Sequence, residues 1–90
     1  MIDLPAHPAV APMYRLQFEP AQDAWVLLYP EGMVKLNGSA GEILKRCDGS
    51  RDIDAIVEDL ERAFDATGLG KDVNAFITLA VERKWIELRE

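Results

Sequence analysis

Along residues 14–37 the apolar positions either alternate or run unbroken in a short stretch, and beyond residue 37 they recur at every third or fourth. In 14-YRLQFE-19, Tyr14, Leu16 and Phe18 alternate with Arg15, Gln17 and Glu19, the period of a half-buried strand. PAQD supplies a turn. The next run, 24-AWVLLY-29, is apolar on both faces, as a central strand would be. PEG makes a second turn, in which Gly32 can take a positive φ. In 33-MVKLN-37, Val34 and Leu36 share one face, and Met33, Lys35 and Asn37 share the other. Three strands joined by short turns predict an antiparallel meander with its third strand at an edge.

The remainder reads as helix. Asn37-Gly38-Ser39 carries cap chemistry, and Ser39 with Glu42 three positions later fits a capping box. Ala40, Ile43, Leu44 and Cys47 follow at helical spacing, and Gly49 suits the left-handed residue that ends the helix. A second helix, capped by Asp52, has the stripe Ile53, Ile56, Val57, Leu60 and Phe64, with Asp54, Glu58, Asp59, Glu61 and Asp65 opposite. ATGLG breaks it. A third begins near Lys71 or Asp72, with Val73, Phe76, Ile77, Ala80 and Val81 inward. WIELR closes the chain as an extended segment with Trp85 and Ile86 near the core. The expected class is α+β: a three-stranded antiparallel meander, then a winged-helix-like bundle of three helices.

Residues 1–13 break the pattern. Pro5, Pro8 and Pro12 lie among small residues, and proline disfavours helix, so this stretch is expected to be a flexible arm ahead of a domain spanning 14–90. A length of 90 residues suits a single domain with a thin core, burying about 60% of its unfolded surface. No apolar run approaches the ~20 residues of a membrane span, and MIDLPAHPAVAPM does not resemble a signal peptide. The expected location is the cytoplasm.

A net charge of −6 is a poor basis for holding a phosphate backbone. The third helix offers Lys71, Asn74, Arg83 and Lys84 but also Asp72 and Glu82, and its neighbour is strongly acidic, so nucleic acid is not an expected partner. The single cysteine, Cys47, falls on the buried stripe of the first helix, at a C-terminal end that disfavours thiolate. The single histidine, His7, lies in the arm. Cys47 therefore reads as a small core hydrophobe. No ligand spacing for a metal and no phosphate-binding glycine loop is present. The expectation is a protein with no catalytic residue, no metal and no cofactor.

An edge strand offers unpaired N–H and C=O groups to an incoming chain. On the third helix, Leu79 lies beside the core stripe, with Asp72, Ala75 and Arg83 as neighbours. If 33–37 and this helix face one another, they form a groove with a hydrogen-bonding wall and an apolar wall. Leu79 as a simple cap on the core is the competing reading.

These residues also resemble a known family. The stretch 33-MVKLNGSAGEILKRCDGSRDIDAIVEDL-60 is similar to the PqqD family of pyrroloquinoline quinone biosynthesis proteins, through Leu36-Asn37, Ala40, Ile43-Leu44, Cys47-Asp48-Gly49 and Ile53, Ile56 and Val57. FEPAQDAWVLLYPEG and DVNAFITLAVERKWIE resemble the family's first hairpin and last helix. Asn74 and Ala80 depart from its larger apolar residues, and Lys84 stands where glycine is usual. The resemblance implies a RiPP recognition element, a non-catalytic module that binds the precursor peptide PqqA and presents it to the radical SAM enzyme PqqE. It implies strand addition at Met33, Val34, Lys35, Leu36 and Asn37, against helix residues Asp72, Phe76, Leu79 and Arg83. The alternative is a module of the same pathway that binds a quinone or an intermediate, with Trp25, Tyr29 and Trp85 as aromatic contacts. Oligomeric state stays open between monomer and dimer.

Overall fold

The computed structural model describes residues 6–89. Along the chain run β1 (His7–Val10), β2 (Arg15–Glu19), β3 (Ala24–Tyr29), β4 (Gly32–Lys35), α1 (Gly38–Lys45), α2 (Ile53–Ala63), α3 (Gly70–Glu82) and β5 (Ile86–Arg89). The class is α+β, as expected. The meander is antiparallel in the order β2-β3-β4, so β3 is central and β4 is an edge. Its inner face carries Leu16, Leu27 and Val34 in one cross-strand row, directed at the helices.

The meander, α1, α2, α3 and β5 enclose one core. Leu27, Leu44, Ile53, Ile56 and Ile77 are its most deeply buried side chains, joined by Leu36, Val73, Ala80 and Ile86. Burying an aliphatic side chain of this kind contributes about 1.5–3 kcal/mol each. The acidic face of α2 lies outward, with Asp54 and Glu58 exposed.

Several expectations are corrected. The proposed arm takes part in the fold: His7–Val10 pairs antiparallel with β5, from His7↔Arg89 to Val10↔Ile86. On its other side it meets the turn after α1, where the Val10 N–H donates to the Cys47 carbonyl and the Gly49 N–H to the Pro8 carbonyl. Pro8 lacks a donor but is used as an acceptor, and Ala9 beside it is buried. The boundary at 13/14 therefore does not delimit the folded unit, while residues 1–5, with Pro5, lie outside the described residues. Gly49 does take a positive φ, of 85°. It does so at this strand contact and not at the helix end, because α1 already stops at Lys45 with Arg46 as its C-cap.

The N-cap of α1 is Asn37, not Ser39: its Oδ1 accepts from the Ala40 N–H at 2.8 Å. Glu42, assigned to a capping box, instead pairs with Arg46 at 2.9 Å. Asp52 caps α2 as expected, accepting from Ala55 N–H at 2.8 Å. Gly32 is not among the positive-φ residues; it continues β4 opposite Tyr29. Phe64 lies beyond the end of α2 and is 55% exposed, not part of the inward stripe.

Candidate functional site

The open edge of β4 follows from its register. The Leu36 N–H donates to the Trp25 carbonyl at 3.0 Å, so Trp25 and Leu36 form a hydrogen-bonded pair. Directly opposite residues alternate between bonded and non-bonded pairs in an antiparallel ladder. With Val26↔Lys35, Leu27↔Val34, Leu28↔Met33 and Tyr29↔Gly32 in register, Gly32, Val34 and Leu36 turn their backbone groups toward β3. Met33 and Lys35 turn theirs away, to the outer edge. The side chains of Met33 and Lys35 are exposed, Val34 is half-buried, and Leu36 is buried in the core. Leu36 and Asn37 are among the residues implied for strand addition. The Leu36 side chain is already committed to the core and its N–H to Trp25, and Asn37 is committed to capping α1.

On α3, Asp72, Phe76, Leu79 and Arg83 are spaced by four, three and four residues and share one side of the helix. Asp72 is exposed in the first turn, where a carboxylate complements the helix dipole. Phe76 is half-buried against the core and stands 6.4 Å from Trp85, ring centre to ring centre. Leu79 is 38% exposed. The Arg83 guanidinium lies 5.6 Å from the centre of the Trp85 ring, a cation–π contact that fixes its stem at the C-terminal end of α3.

At one end α1 meets the first turn of α3. A pocket of about 660 Å³ is lined by Gly38 and Ser39, just beyond β4, and by Asp72 and Val73 in the first turn of α3. Leu60 of α2 and Phe64, just past its end, complete it. Residue-by-residue reading of the sequence missed this pocket. Its one available signal was Phe64, a large apolar residue at the last position of an otherwise inward stripe.

The single cysteine is not set up as a nucleophile. Burial, with the neighbouring Asp48 carboxylate second, pushes the Cys47 thiol up to about 12. Its Sγ donates to the Ile43 carbonyl at 3.3 Å, and the residue is 3% exposed. Among the described residues no group of three or more His, Cys, Asp or Glu is placed to hold a metal, and no helix is long and apolar enough to cross a membrane. The three aromatics of the quinone alternative do not come together: Trp25 packs on Phe18, Tyr29 on Tyr14, and Trp85 on Phe76.

Residues 24–86 match the family described as coenzyme PQQ synthesis protein D (PqqD). A PqqA binding protein of Pseudomonas aeruginosa is 58% identical over 77 residues, covering 84% of each chain. Another, from Stutzerimonas stutzeri, is 51% identical over 89 residues, covering 98% of this chain and 97% of the relative. The solution structure of the PqqD portion of Methylobacterium extorquens PqqCD, described as a functional stand-alone RiPP recognition element, superposes with a TM-score of 0.68 at 27% identity. That match covers 89% of this chain and 87% of the other.

Proposed function

The chain belongs to the PqqD family, and on that premise we propose that it is a non-catalytic, cytoplasmic peptide chaperone that binds a PqqA-type precursor and presents it to the radical SAM enzyme PqqE. The peptide adds as a strand to β4, bonding to the outward backbone groups of Met33 and Lys35, while Phe76, Leu79 and Arg83 contact its side chains. Backbone bonds give affinity independent of sequence, and the side-chain wall gives selectivity. Holding peptide and enzyme together raises the effective concentration of one for the other.

The observation that carries this reading is the edge of β4, unpaired among the described residues, in a chain whose relatives are named for binding PqqA. Titration with the PqqA peptide tests it. Met33→Pro removes an outward N–H while sparing the bonds that Gly32, Val34 and Leu36 make to β3. Leu79→Asp places a charge on the apolar wall. Each is expected to weaken binding by about tenfold or more, roughly 1.4 kcal/mol, with the fold retained. Phe18→Ala, on the opposite edge strand, leaves binding unchanged. Identical titration curves for the parent, Met33→Pro and Leu79→Asp would remove the assignment.

A further inference from the structure

The three strands that supply the β4 edge also carry a second surface. Leu16, Leu27 and Val34 face the helices, so the neighbouring rows, Arg15–Leu28–Met33 and Gln17–Val26–Lys35, lie on the opposite face of the sheet. The helices pack against the inner row, and none of Val26, Leu28 and Met33 joins the core they enclose. Val26, in the middle of the outer face, is fully buried. Leu28 is half-buried, Met33 is 46% exposed, and Arg15 and Lys35 stand exposed on either side of this apolar strip.

The charge of this face differs from that of the chain. The net charge is −6, and the outward face of α2 carries Asp54 and Glu58. On the sheet, Arg15 and Lys35 flank the strip, and neither enters an ion pair among the described residues. Arg15 reaches only the neighbouring Gln17 Oε1, at 3.5 Å. The carboxylates stand at the margins: Glu19 ends β2 opposite Ala24, and Asp23 and Glu31 lie in the two turns. An apolar centre between two unpaired cations complements a protein surface whose apolar residue is rimmed by carboxylates.

Met33 and Lys35 join this face to the edge. Their backbone groups turn to the outer edge of β4, while their side chains stand on the outer face. A strand added at that edge sends every second side chain to the same face, where it continues the two rows. A protein seated there touches the bound peptide and its carrier at once.

We propose that the outer face of the meander, extended by the added peptide strand, is the surface on which the peptide-modifying enzyme docks, setting an apolar contact on Leu28 and Met33 and carboxylates against Arg15 and Lys35. This rests on the reading of the chain as a peptide binder that presents its cargo.

Titration of PqqE with this chain, at saturating PqqA peptide, tests the docking face, and titration with the peptide alone tests the edge separately. Arg15→Glu and Lys35→Glu are each expected to weaken binding of the enzyme about tenfold, by turning attraction into like-charge repulsion. Arg15 lies two strands from the β4 edge, so Arg15→Glu is expected to leave the peptide titration unchanged. Both substitutions fall at exposed positions, and amide spectra confirm that the variants fold. Asp54→Lys, on the outward face of α2, is expected to leave enzyme binding unchanged. If Arg15→Glu and Lys35→Glu bind the enzyme like the parent while Met33→Pro loses the peptide, the docking inference fails and strand addition stands. If Asp54→Lys alone weakens enzyme binding, docking belongs to α2 and the inference fails in the same way. If the parent binds the peptide but not the enzyme, presentation itself fails and the inference with it. If Arg15→Glu instead releases duplex DNA or anionic vesicles that the parent retains, the face is a polyanion site and not a protein-docking one.

Discussion

The indole of Trp25 lies directly against the backbone of Gly41: a Cβ at position 41 would stand 2.5 Å from Cδ1 of the ring and 2.7 Å from Cγ. This close approach lets α1 sit down on β3, and it holds the exit of β4 in place, because the Trp25 carbonyl accepts the Leu36 N–H. Alanine favours a helix over glycine by about 1 kcal/mol. At position 41 the overlap outweighs that gain, and Gly41→Ala is expected to destabilise the protein by about 1–3 kcal/mol. Gly38 is the control, since a Cβ there meets nothing within 4 Å. Urea unfolding followed by tryptophan fluorescence should lower the midpoint for Gly41→Ala and not for Gly38→Ala.

The start of α1 separates two residues that look equally able to cap it. Asn37 Oδ1 accepts from the Ala40 N–H, whereas no side-chain bond of Ser39 is formed in that turn. Asn37→Ala is therefore expected to cost about 1 kcal/mol and Ser39→Ala only a few tenths. The reverse order in chemical denaturation would return the cap to Ser39.

Much of this architecture was written locally. The alternation in 14–19, the double-faced apolar run in 24–29 and the stripe from Ile53 to Leu60 each follow from burial on one or both sides of a single element. The misread features depend on partners distant in the chain. His7–Val10 is a strand because residues 86–89 and the Cys47–Gly49 turn lie on either side of it, and its prolines carry no trace of them. Asn37-Gly38-Ser39 offered two caps; the Leu36–Trp25 bond decides between them by fixing where the strand stops. Edge residues Met33 and Lys35 were legible from alternation. Leu36 was assigned to the groove although it alternates onto the face that α1 covers. Phe64 has helical spacing from Leu60, but no local pattern tells that the space beside it is left open.

Lys84 is a strained position. It follows α3 with φ 64°, the left-handed region, while the Trp85 N–H bonds to the Ala80 carbonyl at 2.9 Å and the Lys84 N–H to the Val81 carbonyl at 3.0 Å. This is the helix ending in which glycine is favoured, because a Cβ crowds the following carbonyl. Lys84→Gly is expected to stabilise the fold by about 0.5–1 kcal/mol, the relief of strain being partly offset by a freer unfolded chain. Lys84→Val, with its branched Cβ, is expected to destabilise it. Thermal or urea midpoints of the two variants should move in opposite directions from the parent.

Arg46 ties α1 to α2, and that tie is sensitive to acid. Its side chain is 11% exposed; Nε donates to Asp59 at 2.5 Å, and Nη1 to both the carboxylate and the backbone carbonyl of Glu42 at 2.9 Å. Burial works to lower the pKa of the guanidinium, and the bonds to Asp59 and Glu42 outweigh it, so the net shift is upward and Arg46 stays charged at any ordinary pH. The Arg46 hydrogen bond in turn holds the Asp59 carboxyl below its usual value. A carboxyl with a lower pKa in the folded state binds fewer protons there than in the unfolded chain. Its contribution is complete above the unfolded value, about pH 3.9, and is lost as pH falls through the lower folded value. Asp48, lowered by the Ser50 hydroxyl and N–H, adds to the same acid limb. The urea midpoint of the parent is expected to fall as pH drops from about 5 toward 2. Asp59→Asn should start from a lower midpoint at pH 6 and fall less over the same range. Equal slopes for the two proteins would show that the Arg46–Asp59 pair contributes nothing to stability.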